Sequence, residues 1–112
     1  MTNVSYKIHG EIAVLTMNDG KANAMNCEMI EEINRLLDRV EREAKALIIT
    51  GREGIFCGGF DLRVIHSKKN ERKREQLLKG TRLAMRLYGF PKPVIAAANG
   101  SSVALGAFLL LT

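Results

Sequence analysis

Strand-forming residues cluster at Tyr6, Ile8, Ile12, Val14 and Leu15, and the spacing predicts a hairpin over Ser5–Met17 with its turn at His9-Gly10-Glu11. From Asn18 to Asn23 the residues are Asn, Asp, Gly, Lys and Ala, the composition of a loop. The period then changes. Met29, Ile30, Ile33, Leu36, Leu37, Val40 and Ala44 recur at helical intervals, and Asn26 stands where a helix N-cap is wanted. These features predict a helix over Cys27–Glu43. Its charges Glu31, Glu32, Arg35, Arg39 and Arg42 are expected on the solvated side. Ala46–Thr50 is short and almost wholly apolar, the pattern of a strand covered on both faces.

A Gly-rich stretch, GREGIFCGG, follows Thr50 and reads as a loop. Asp61 is placed to cap a short helix from Leu62 to His66. The basic run KKNERKRE leads into a second long helix, for which Leu77, Leu78, Thr81, Ala84, Met85 and Tyr88 predict the buried stripe. Lys79, Arg82 and Arg86 are expected opposite it, and Gly89 ends it. Pro91-Lys92-Pro93 forces an extended chain. Val94–Ala98 reads as another buried strand, Asn99-Gly100 as a turn, and Ala104–Leu111 as a helix with no polar face. Strands alternating with helices imply parallel pairing and an α/β architecture. No internal repeat or linker divides the chain, so one domain over residues 1–112 is expected. The apolar segment Phe108–Thr112 ends without a cap. The expectation is therefore the N-terminal part of a larger domain, or a chain completed by another.

Composition narrows the classes. The 112 residues are 46% apolar and 26% charged, too apolar for a disordered chain. Two cysteines, Cys27 and Cys57, cannot make a disulfide scaffold and match no metal motif. The longest apolar run, Val103–Leu111, is nine residues, against about 20 for a membrane span. The opening MTNVSYKIHG lacks an apolar stretch flanked by basic residues, so no secretory signal is expected, and free thiols point to a reducing, cytoplasmic compartment. Charge is uneven. Residues 1–59 carry seven Lys/Arg and nine Asp/Glu, whereas residues 60–112 carry ten and three. Such a basic half could attract phosphate groups of a cofactor or a nucleic acid; a solvated helix face is the simpler account.

Two segments could carry chemistry. Gly54–Leu62, GIFCGGFDL, and Asn99–Leu109, NGSSVALGAFL, each follow a buried strand and precede a helix. Ligands in α/β sheets bind beyond the carboxyl ends of strands. Two such segments side by side could aim two backbone N–H groups at one oxygen, as an oxyanion hole does. No dinucleotide, P-loop or nucleophile-elbow motif is present. Neither His9 nor His66 has a partner at metal-ligand spacing, so no metal is expected.

The same residues resemble a known family. GIFCGGFDL is similar to the F-[SA]-[AG]-G-x-D-[LI] segment of the enoyl-CoA hydratase/isomerase, or crotonase, family. PKPVIAAANG resembles that family's P-K-P-V-I-A-A-x-N-G segment, and Lys21–Met25 its N-A-[LM] loop. The resemblance covers essentially the whole chain and ends near the middle of the family's domain. It implies the N-terminal half of a ββα spiral, a hairpin followed by alternating helices and parallel strands. It also implies an acyl-CoA thioester substrate, assembly as a homotrimer or hexamer, and no cofactor beyond the CoA of the substrate. The implied oxyanion-hole donors are the backbone N–H groups of Gly58 and Leu105. Many relatives have Gly at the second position, so Leu105 implies a narrower acyl pocket. The substrate and its CoA would run past Ala24, Cys57, Gly58, Gly59, Phe60, Asp61, Leu62 and Leu105. The first of the two Glu residues used for hydration falls on Phe108, and the second lies past Thr112. Isomerase-like chemistry therefore fits a completed domain better than two-Glu hydration. An oxyanion hole without an acid or base implies slight activity for the 112 residues alone.

Two alternatives stand beside this reading. The chain could be a truncated, inactive half-domain. It could also bind RNA through the basic 63–92 segment, as at least one relative does through a comparable helix. Here the segment 68–79 lacks aromatic residues for base stacking, which weakens single-strand readout.

Overall fold

A computed structural model describes residues 3–20, 23, 26–52, 54–57, 70–97 and 100–102, with the backbone alone for 54–57, 70 and 100–102. β1 (Val4–His9) and β2 (Ile12–Met17) form the predicted antiparallel hairpin, with Val4 opposite Met17 and His9 opposite Ile12. The two-residue loop between them begins at Gly10 with φ 62°, the positive angle that a tight hairpin turn requires and glycine supplies. β2 shows the period of two that one buried face demands: Ala13, Leu15 and Met17 point inward, and Ile12 is 41% exposed.

The first helix, α1, spans Cys27–Glu43 as the spacing predicts. The Asn26 side-chain oxygen accepts from the Met29 N–H at 2.8 Å, and the Asn26 carbonyl from the Ile30 N–H at 3.0 Å. Met29, Ile30, Ile33, Leu37, Val40 and the following Ala44 are buried in one apolar cluster with Val4 of β1, Leu15 and Met17 of β2, and Leu47 and Ile49 of the next strand, β3 (Ala46–Thr50). Because α1 crosses over the sheet, β3 runs parallel to β2, with Ile12 opposite Ala46. On β3, Leu47 and Ile49 are buried and the alternate residues half-buried, so one face meets the core and the other is partly covered.

One charge on α1 departs from expectation. Glu32 does not lie on the solvated side; it is 6% exposed and accepts the Asn3 backbone N–H at 3.0 and 3.3 Å. The chain entering β1 has an N–H that no ladder partner takes, and a carboxylate on the sheet-facing flank of α1 accepts it.

Two short stretches expected as a loop and a turn are strands. β4 (Gly54–Cys57) and β6 (Gly100–Ser102) pair in parallel as a separate two-stranded sheet. Between them come α2 (Asn70–Tyr88) and β5 (Val94–Ala97). β5 pairs in parallel with β3, giving the mixed sheet β1-β2-β3-β5. It is not buried as predicted. Ile95 is 57% exposed and Ala96 and Ala97 are exposed, because among the described residues β5 is an edge strand.

The largest correction concerns α2. The predicted stripe is turned outward: Leu77, Leu78, Thr81, Met85 and Tyr88 are exposed, Tyr88 by 78%, and Ala84 is half-buried. The buried positions are Gln76, Gly80, Leu83 and Leu87, spaced 4, 3 and 4 and packed toward α1. Two cations expected on the far side flank this seam. Lys79 pairs with Glu31 of α1 and with Glu75 at 3.0 Å. Arg86 meets Asp38 at 2.7 Å and donates to the Asn34 carbonyl and side chain at 3.2 and 3.1 Å. A second, narrower apolar stripe bordered by cations matches the acidic flank of α1 better than the broader stripe does.

Candidate active site

The paired strands β4 and β6 are the starting point. Gly54 stands opposite Gly100, Ile55 opposite Ser101 and Cys57 opposite Ser102, with a register shift between Ile55 and Cys57. Parallel neighbours lie about 4.8 Å apart and run the same way. The two Gly-bearing segments that the sequence singles out are therefore adjacent, and both point their carboxyl ends in one direction. Gly58 is the next residue after β4. Leu105 is the third after β6. Of the predicted site residues, Cys57 closes β4 and its backbone is described. Ala24, Gly58, Gly59, Phe60, Asp61, Leu62 and Leu105 lie outside the described residues, as do the predicted helices 62–66 and 104–111.

The large sheet ends beside this feature in sequence. The Thr50 hydroxyl donates to the Ala97 carbonyl at 2.8 Å, tying the last residues of β3 and β5 together. β4 follows Thr50 after three residues, and β6 follows Ala97 after two. The strands carrying the two candidate loops thus descend from two neighbouring strands joined at their carboxyl ends, where α/β proteins bind ligands.

In the third segment, Lys21–Met25, Asn23 alone is described. Asn23 is fully buried, with φ 52°. Its side-chain oxygen accepts from the Asp19 N–H at 3.0 Å, its own N–H donates to the Asp19 carboxylate at 3.0 Å, and its amide nitrogen donates to the Met17 carbonyl at 2.9 Å. Sequence reading places Asn23 in the loop motif but not in this role. The Asp19–Asn23 spacing, with side chains that bond their own backbone locally, was the available signal. Lys92, between two prolines, was likewise missed. It donates to the carbonyls of Val40 at 3.1 Å, Glu41 at 2.6 Å and Ala44, closing the C-terminus of α1.

Among the described residues, one cluster of perturbed groups lies on the α1–α2 seam. Lys79 holds the Glu31 carboxyl below the usual carboxylate range, and Glu31 with Glu75 pushes the Lys79 ammonium up. Burial, reinforced by Glu75, raises the Cys27 thiol, so it is a poor nucleophile. Among the described residues no group of three His, Cys, Asp or Glu could hold a metal ion, and no helix is long and apolar enough to cross a membrane.

Comparison with known proteins decides the family. The model for enoyl-CoA hydratase/isomerase matches residues 7–112. The chain belongs to the enoyl-CoA hydratase/isomerase family. It is 33% identical over 109 residues to a probable enoyl-CoA hydratase of Bacillus subtilis, covering 95% of this chain and 42% of that protein. A crystal structure of a probable enoyl-CoA hydratase from Mycobacterium tuberculosis superposes with a TM-score of 0.95 at 42% identity, over 97% of this chain and 47% of that one. An apo structure described as a Mycobacterium tuberculosis enoyl-CoA isomerase superposes at 0.91, with 41% identity, over 96% and 47%. The chain spans a little under half the length of these relatives and has the crotonase-type α/β fold of an N-terminal portion.

Proposed function

We propose that this chain forms part of an acyl-CoA thioester-binding enzyme that stabilises a thioester enolate in a backbone oxyanion hole. The parallel pairing of β4 with β6 carries the reading, because it brings together the two strands that lead into Gly58 and Leu105. In this reading their N–H groups donate to the thioester oxygen as negative charge develops there. Backbone donors suit the task because they need no proton transfer and little reorganisation; losing one typically lowers the rate about 10²–10³-fold. The substrate and CoA run past Ala24, Cys57, Gly59, Phe60, Asp61 and Leu62. With Phe108 where a hydratase has its first Glu, movement of a proton α to the thioester by a single base fits better than addition of water. No cofactor beyond the CoA of the substrate is required. Assembly as a homotrimer or hexamer and a cytoplasmic setting complete the reading.

The reading requires the chain to bind an acyl-CoA thioester. Thermal unfolding of the folded chain with and without acetoacetyl-CoA tests this. A ligand present at 100 times its Kd stabilises by about 2.7 kcal/mol, which raises the midpoint measurably. An unchanged midpoint at saturating acetoacetyl-CoA would count against acyl-CoA binding.

A further inference from the structure

The broad apolar stripe of α2 is left outside the core, and cations ring it. Leu77 and Leu78 are 49% and 45% exposed, Met85 69% and Tyr88 78%. With Thr81 and Ala84 they recur three and four residues apart, which keeps them on one side of the helix along about 16 Å. An exposed apolar surface of this kind marks a contact site. The helical period sets Lys73 on one border of the stripe, Arg82 on the other and Arg74 across its N-terminal end. Among the described residues none of these three cations has an ion-pair partner, whereas Lys79 and Arg86, on the inward flank, are paired with acids. From Gln76 to Tyr88 the sequence contains no acid; Glu71, in the first turn of α2, is the carboxylate that the period sets on the outward side.

We propose that the outward face of α2 docks on an anionic lipid surface. The same helix shows what a polypeptide partner brings. On its inward flank, α1 supplies an apolar stripe and sets single carboxylates, Glu31 and Asp38, against single cations. Outward, the cations stand on both borders and at one end, so the matching surface carries negative charge on every side of an apolar layer. A bilayer with anionic headgroups above its acyl chains has that order. A second copy does not, because pairing two such faces brings like charges together. No described helix is long and apolar enough to cross a membrane, so α2 lies in the plane of the headgroups. Leu77, Leu78, Met85 and Tyr88 then sit below the phosphates, and the long stems of Lys73, Arg74 and Arg82 carry their charges back up to them. Docking there does not depend on acyl-CoA binding.

The test is sedimentation of the chain with vesicles of phosphatidylcholine alone and of phosphatidylcholine mixed with phosphatidylglycerol. The expected result is binding to the mixed vesicles only, weakening as salt is raised. Arg82→Glu reverses a border charge, and Met85→Ser removes apolar surface without changing charge. Each should lower the partition coefficient about fivefold or more. Lys7→Glu, the same charge reversal on β1, should stay within about twofold. All three positions are exposed, so the variants keep the core, and circular dichroism checks that each is folded. Equal losses in Arg82→Glu and Lys7→Glu, with Met85→Ser unchanged, would reduce the binding to general attraction of a basic chain and overturn the proposal. Absence of binding to the mixed vesicles at low salt would overturn it as well. If the chain ignores vesicles but binds a synthetic peptide of α1, residues 26–44, and Arg82→Glu weakens that binding, the face belongs to an acidic helix of a protein partner and not to a lipid surface. A dimer in sedimentation equilibrium that Met85→Ser dissociates would assign the face to a second copy and overturn the proposal likewise.

Discussion

The Lys92 ammonium reaches back to the Glu41 carbonyl at 2.6 Å and closes the C-terminus of α1. The helix has no glycine to close it; Ala44 follows in an extended conformation, its N–H bonded to the Val40 carbonyl. A cation on the last carbonyls satisfies orphan acceptors and suits the negative end of the helix dipole. Lys92→Met should cost about 1–2 kcal/mol in urea unfolding, with Lys92→Arg recovering part of it. No loss in Lys92→Met would show that the carbonyls find equal partners in water.

Gln76 is fully buried in the α1–α2 seam, and its amide has no hydrogen-bond partner among the described residues. Replacing an unsatisfied buried amide by an apolar group of similar shape is neutral or stabilising. Gln76→Leu should therefore raise the urea midpoint or leave it unchanged, by up to about 1 kcal/mol. A loss above about 2 kcal/mol would contradict the unsatisfied state.

Glu31 and Glu32 are adjacent in sequence and differ in consequence. Glu32 accepts a backbone N–H while buried, so Glu32→Ala should cost about 1–3 kcal/mol. Glu31 pairs with Lys79 on the surface, its side chain 59% exposed and the pair screened by water, so Glu31→Ala should cost clearly less than Glu32→Ala. Parallel denaturant curves of the two variants check the order.

The Glu31–Lys79 pair also sets a pH dependence. Lys79 lowers the Glu31 pKa, so the contribution of this carboxylate is present above the ordinary glutamate range and is lost as pH falls through the lower folded value. The stability difference between the unmutated chain and Lys79→Met should be steady from pH 7 to 5 and shrink toward pH 3. A difference that persists at pH 3 would assign it to packing of the lysine stem.

How far these features were legible in the sequence depends on what decides each one. α1 was readable end to end, because Asn26 supplies its cap and a single apolar stripe its buried face. The hairpin was readable because Gly10 marks the turn. α2 was misread because it has two apolar stripes. Hydrophobicity selects the broader one, Leu77–Leu78–Met85–Tyr88, whereas the partner helix selects Gln76–Gly80–Leu83–Leu87. Its acidic flank, Glu31 and Asp38, faces Lys79 and Arg86, a match that no single-helix pattern contains. Glu32 was missed for the same reason: its partner is a backbone N–H distant in sequence. The strand at Gly100–Ser102 is hidden because glycine and serine are weak strand formers, and that at Gly54–Cys57 because Ile55 and Phe56 stand inside a glycine-rich run. Their pairing comes from the crossover geometry of the chain, while their position ahead of Gly58 and Leu105 was evident from the motifs.

The central claim is that these paired strands lead into a site that binds an acyl-CoA through its thioester oxygen. Calorimetric titration of the folded chain with acetoacetyl-CoA and, separately, with CoA tests it most directly. The account predicts that the thioester binds at least about tenfold more tightly than CoA, a difference of about 1.4 kcal/mol, and that Gly58→Pro, which removes the N–H donor, abolishes the difference. Equal affinity for the two ligands, or a thioester preference unchanged in Gly58→Pro, would contradict it.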